Sequence, residues 1–149
     1  MILIISVGLA VMIACLAVQI VSVLGVVRYY AKVSGQPIGA RPLLSVFRQL
    51  AAVMVVLLVS SLIQMTSWAA LYLGLDQLDD FQTAIYFSGV TFTSLGYGDV
   101  TLEGRGRFLA VMEASDGLVM FGVTSAVFMI LLQHAITRWH GIKVDSKKD

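Results

Sequence analysis

Three long apolar runs divide the chain, at residues 2–27, 50–75 and 108–136. The first two contain no charged residue, and Gln19 is the most polar member of the first. The third is interrupted by Glu113 and Asp116. A helix needs about 20 apolar residues to cross a hydrocarbon core about 30 Å thick, so each run predicts a membrane-spanning helix. No heptad is sustained through them, which argues against a soluble coiled coil. A different pattern lies between the second and third runs. Residues 80–92 read DFQTAIYFSGVTF, and Thr93-Ser94-Leu95-Gly96-Tyr97-Gly98 follows. Asp80 is placed to cap a helix starting at Phe81 and ending at Phe92. At 1.5 Å per residue that helix is about 18 Å long, enough to reach only partway through a bilayer. The spans on either side both need the chain on one face of the membrane here, so the stretch dips in and returns.

Composition fixes the solvent. The chain has 149 residues, 58% hydrophobic and 13% charged, with mean hydropathy +0.90. Soluble domains are about 45–50% apolar and about 25% charged. A soluble core this small could not hide so much apolar surface. The net charge of +1 gives no case for nucleic-acid binding, which uses a basic patch or stripe. Cys15 is the single cysteine, so it has no intrachain disulfide partner, and it reads as a small lipid- or helix-facing residue. No nucleophile–base set, metal motif or phosphate loop points to an enzyme or to a cofactor. No repeat or nucleotide site points to a pump or secondary transporter.

Charge also orients the chain. Arg28, Lys32, Arg41 and Arg48 lie between the first two runs without an acid, whereas Asp76, Asp79 and Asp80 follow the second. The C-terminal segment carries Arg138, Lys143, Lys147 and Lys148. The positive-inside rule puts residues 28–48 and the C-terminus in the cytoplasm, and the N-terminus and residues 76–107 outside. The first run lacks a basic leader and exceeds the usual signal-peptide core of about 7–15 residues, so it reads as a retained helix.

Irregular backbone at membrane depth is tolerated only where protein buries it or water lines it. Gly96 and Gly98 allow positive φ. Alternating glycine with other residues turns successive carbonyls toward one axis, and the hydroxyls of Thr93 and Ser94 add oxygens. A row of oxygens without a basic residue suits a dehydrated cation. Thr93-Ser94-Leu95-Gly96-Tyr97-Gly98-Asp99 resembles the selectivity-filter signature of potassium channels, Thr-Val-Gly-Tyr-Gly, with Ser94 for Thr and Leu95 for Val. The resemblance covers roughly residues 50–135. It implies an all-α membrane protein with three transmembrane helices and a re-entrant pore helix and filter loop between the second and third. It divides the chain into an extra N-terminal helix (1–27), a basic, turn-rich cytoplasmic loop (28–48), a potassium-channel-like pore domain (49–136) and a short cytoplasmic tail (137–149).

The resemblance also implies roles. The carbonyls of Ser94, Leu95, Gly96 and Tyr97 would coordinate K+, the permeant ion, with the Ser94 hydroxyl at the inner end. Four copies would be needed to close the filter, giving a homotetramer in membrane lipid. Thr93, Gly98 and Asp99 would support it, Asp99 through a hydrogen bond from Tyr86, against the alternative of a solvated loop aspartate. Val90 sits where some relatives carry an acid. Gly117 falls where relatives carry a gating hinge, with close helix packing as the alternative. Glu113 and Asp116 stand at i and i+3. Glu113 is placed to brace the pore helix through Thr91, Thr93 or Ser88, and Asp116 to face the cavity. Alternatively, both sit high enough to meet water or Arg105 and Arg107. Trp68, Tyr72 and Trp139 read as interfacial belt residues. Ala10, Ala14 and Ala17 offer the first helix a packing face. The function implied is a passive K+-selective channel. The alternatives are a weakly selective cation channel and a non-conducting subunit of the same fold.

Overall fold

A computed structural model of the chain describes residues 2–34 and 42–145. It is all-α over those residues: α1 (Ile2–Ser34), α2 (Pro42–Gly74), α3 (Phe81–Phe92), a single 3-10 turn (Gly104–Gly106) and α4 (Arg107–Asp145). Three of these, α1, α2 and α4, are long and apolar enough to cross a membrane. The helices outrun the apolar stretches that predict them. Arg28 and Lys32 continue α1, with Lys32 in its last turn where a cation suits the helix dipole. Pro42 opens α2, a position where its missing N–H is no loss. Most of the expected 28–48 loop is therefore helical. Residues 35–41, the rest of that loop with Gly35, Gln36, Pro37, Ile38, Gly39 and Arg41, lie outside the described residues, as do Lys147 and Lys148.

Contacts across the bundle fix its directions. Trp68 meets Asp116 and Tyr72 meets Glu113, so α2 and α4 are antiparallel. Gln19 reaches Thr124 and Tyr30 reaches the Leu131 carbonyl, so α1 runs parallel to α4. The start of α1, the end of α2 and the start of α4 thus share one end of the bundle. The 3-10 turn and α3 lie at that end too, with α3 packed on both α2 and α4. The chain enters and leaves α3 from the same side, as the pattern of spans requires.

Two apolar clusters hold the bundle. The one beside α3 contains Trp68, Tyr72, Phe87, Phe92 and Leu109, with Tyr72 edge-on to Phe87 at 5.2 Å between ring centroids. The other contains Val26, Tyr30, Val53, Leu57 and Leu131. α1 contributes Cys15, Gln19, Val26 and Tyr30 to the interior. Ala10, Ala14 and Ala17 are exposed, so they make no helix interface within the single chain. Gly8 makes the close approach instead: a Cβ there would sit 2.9 Å from the Leu109 and Met112 side chains. Small residues mark a helix interface only where a neighbour is present, and spacing alone does not show where that is.

Candidate functional site

The segment after α3 is shaped first by how α3 begins and ends. Asp80 caps the N-terminus, its carboxylate accepting from the Thr83 N–H at 2.8 Å, and the Thr83 side chain together with this backbone N–H holds the carboxyl below its usual range. At the other end Thr93 is the C-cap. The Ser94 N–H donates to the Thr91 carbonyl at 2.9 Å and the Leu95 N–H to the Val90 carbonyl at 2.9 Å. That pair of bonds is a Schellman motif, which requires a left-handed residue after the C-cap. Ser94 supplies it with φ +57°. Glycine is the usual occupant, and a side chain there costs on the order of 1 kcal/mol or more.

The left-handed turn at Ser94 is repeated at every second residue. Gly96 has φ +56° and Gly98 φ +77°, while Leu95 and Tyr97 keep negative φ. Alternation of this kind points successive N–H groups to one side. The Leu95 and Gly96 N–H groups both converge on the Val90 carbonyl, at 2.9 and 3.3 Å. None of the carbonyls of Ser94, Leu95, Gly96 or Tyr97 accepts a hydrogen bond among the described residues. Four backbone oxygens in a row are left available to a cation. The Thr93 hydroxyl is occupied, donating to the Gly89 carbonyl at 2.7 Å. In the single chain Leu95 and Tyr97 are 56% and 67% exposed.

Beyond the glycines the chain is tied back to α3. The Tyr86 hydroxyl donates to Asp99 at 2.6 Å, and Asp99 also accepts from the Val100 N–H at 3.1 Å. The tyrosine bond holds the Asp99 carboxyl below its usual range, and the same bond pushes the Tyr86 phenol up. Asp99 is therefore partnered rather than merely solvated.

Behind α3 lies a buried polar cluster. Glu113 is fully buried. It meets Ser88 of α3 and accepts from the Tyr72 hydroxyl at 2.5 Å. Thr91 and Thr93, the other expected partners, take no part. Asp116 is buried as well and accepts from the Trp68 indole N–H at 3.0 Å. It is closed off from solvent and meets no arginine among the described residues, because α2 offers it a donor at the depth where it sits. Arg107 is turned away to the Leu102 carbonyl. Trp68 and Tyr72 are completely buried, which corrects their reading as belt residues; both act as donors to the acids. The signal was available as a match of spacings, i and i+4 on α2 against i and i+3 on an antiparallel α4. The Trp139 side chain lies outside those described, as does that of Arg105.

Gly117 follows this cluster. A Cβ on it would overlap the Phe92 carbonyl oxygen. Here α4 crosses the C-terminal end of α3 backbone to backbone, so close packing accounts for the glycine, and α4 runs unbroken through it.

The comparisons with known proteins agree with this architecture. Residues 50–134 match the family model described as an ion channel. Two relatives are similar over 55 residues: Protein LctB of Bacillus caldotenax, 46% identical, and Protein LctB of Geobacillus stearothermophilus, 44% identical. Each similarity covers 36% of this chain and 41% of the relative, so the chain spans less than half the length of the curated relatives it matches. No solved structure is significantly similar to it.

Proposed function

We propose that this chain, which belongs to the ion channel family, is a passive K+-selective channel subunit whose residues 93–99 form one quarter of the filter. The observation that carries the reading is the alternation of φ at Ser94, Gly96 and Gly98, together with four consecutive carbonyls, 94–97, that accept no hydrogen bond among the described residues. Carbonyl dipoles in a ring replace a cation's hydration shell. No basic side chain interrupts the row from Thr93 to Asp99. The C-terminal end of α3, with its partial negative charge, adds to the attraction for a cation.

One subunit supplies one row of oxygens, and a dehydrated ion needs them on all sides. We therefore read the working form as a homotetramer closed by cyclic symmetry. Leu95 and Tyr97, exposed apolar side chains beside a dipping helix, are covered in such an assembly. The charge pattern places the filter end of the bundle outside and residues 28–48 in the cytoplasm.

The test is ion flux into liposomes holding only this purified protein, with K+ and Na+ compared under matched gradients. K+ flux well above Na+ flux is the expected result. Equal fluxes would replace the reading with a weakly selective cation channel, the outcome that the Ser94 and Leu95 departures favour. No flux of either ion under any stimulus would point to a non-conducting subunit.

A further inference from the structure

The cluster behind α3 contains a proton-counting problem. Ser88 Oγ lies within hydrogen-bond reach of two acceptors, the Met65 carbonyl at 2.7 Å and Glu113 Oε1. A hydroxyl has one proton to give. Glu113 Oε2 already accepts from Tyr72. The Met65 carbonyl also keeps its bond within α2, but with Glu113 as a carboxylate Ser88 gives its one proton to one of these oxygens and stands at hydrogen-bond distance from the other with no proton between them, so two oxygen lone pairs oppose each other. The ionisable groups facing Glu113 are Tyr72 from α2, Cys15 from α1 and Asp116 from its own helix; α3 presents Ser88, which does not titrate. None of these is a cation that would stabilise a buried negative charge. The acid form resolves the count. Glu113 Oε1–H donates to Ser88 Oγ, Ser88 donates to the Met65 carbonyl, and Tyr72 donates to Glu113 Oε2. Each proton is used once, and the chain of bonds ties α2, α4 and α3 together.

We propose that Glu113 is a positioning residue, held as a neutral carboxylic acid, whose proton fixes α3 and the 93–99 segment against α2 and α4. The inference rests on the channel reading above. Loss of the proton makes both Glu113 oxygens acceptors. Ser88 then turns its proton to Glu113 and releases the Met65 carbonyl, so α3 loses that tie to α2. Selectivity is therefore steady from acid to neutral pH and falls as the pH becomes alkaline.

Infrared spectroscopy and ion flux on the full chain in liposomes test this together. The difference spectrum between wild type and Glu113→Gln at neutral pH is expected to show the carbonyl stretch of a protonated carboxyl, fading at alkaline pH. The wild-type K+/Na+ flux ratio is expected to drop about five- to tenfold at alkaline pH, the size of one lost buried hydrogen bond. Glutamine offers a carbonyl to Tyr72 and an N–H to Ser88. Glu113→Gln should thus keep the neutral-pH ratio and lose the alkaline fall. Ser88→Ala should lower the ratio at every pH. A carboxylate band in place of the acid band at neutral pH would overturn the proposal. So would an unchanged alkaline fall in Glu113→Gln, which would assign the titration to another group. Absence of flux in every variant and at every pH counts against the channel reading, while the infrared band still decides the acid form by itself.

Discussion

Glu113 and Gln19 are both buried polar residues of membrane helices, yet the layers they belong to differ in kind. Around Glu113, acids of α4 face hydroxyl and indole donors of α2 and α3, and the cluster touches the helix that carries the glycine segment. Around Gln19, amides and hydroxyls meet: Gln64 donates to Gln19 at 2.9 Å, Gln19 to Thr124 at 3.1 Å and Ser22 to Ser60 at 3.0 Å. This second layer joins α1 to α2 and α4 and does not reach α3. It is also less complete, since Gln64 Oε1 is buried without a hydrogen bond among the described residues. An amide layer can rearrange, because each group both donates and accepts. The acid layer has fewer ways to be satisfied. The first layer sets the position of the site, and the second attaches an additional helix to it.

The sharpest way to break this contrast is at glycine. Gly117→Ala places a methyl against the Phe92 carbonyl oxygen, so α4 must shift from α3, at a cost of about 3 kcal/mol. Gly25, by contrast, has nothing within 4 Å of its would-be Cβ. Gly25→Ala should be neutral or stabilise by about 1 kcal/mol through helix propensity. Unfolding of both variants in detergent checks the pair, and equal stabilities would erase the distinction between the two ends of the bundle.

Trp68→Phe keeps the ring but removes the indole donor to Asp116. We expect a loss of about 2 kcal/mol, the penalty for an unpaired buried acceptor, with a lowered K+/Na+ flux ratio. Gln19→Leu is the matching change in the amide layer. Interhelical hydrogen bonds in membranes average about 0.6 kcal/mol, so stability should fall by about 1 kcal/mol or less and the flux ratio should hold. A larger effect on selectivity from Gln19→Leu than from Trp68→Phe would reverse the assignment of the two layers.

The smallest expected effect lies at the surface. In Tyr86→Phe, Asp99 loses the bond that holds its carboxyl down, so it should protonate at a higher pH, as its carboxyl carbon shift in NMR would report. The sign follows from linkage: a carboxyl held low in the folded state stabilises above its unfolded pKa, and that stability is lost as the pH falls through the folded value. Tyr86→Phe should weaken this acid-side dependence, leaving the part due to the Val100 N–H. An unchanged Asp99 titration would show that the hydrogen bond carries no weight in solution.

Much of the design is written in local patterns. The three apolar runs, the Asp80 cap, the span of α3 and the need for the chain to dip and return all follow from residue spacing and the thickness of a bilayer. The glycines at 96 and 98 announce positive φ, because few other residues adopt it. Ser94 does not announce it. Its left-handed conformation comes from the Schellman closure of α3, a hydrogen-bond demand that involves Val90 and Thr91 as much as Ser94 itself. Trp68 and Tyr72 misled for a related reason. Aromatic residues near the end of an apolar run suit an interface equally well, and only the depth of Glu113 and Asp116 on a neighbouring helix turns them inward.

The sequence by itself determined which segments enter the membrane, in what order, and where the backbone is free to adopt positive φ. Those are one-dimensional properties, set by apolar length and by which residues tolerate positive φ. The tertiary structure decided which polar groups meet. Glu113 sits 25 residues from Ser88 and 41 from Tyr72 along the chain, and nothing local to any of them specifies the others. Their pairing comes from the antiparallel register of α2 and α4 and from the contact of Gly117 with the end of α3, because a buried hydrogen bond depends on position in three dimensions and a spacing along one helix gives only a face.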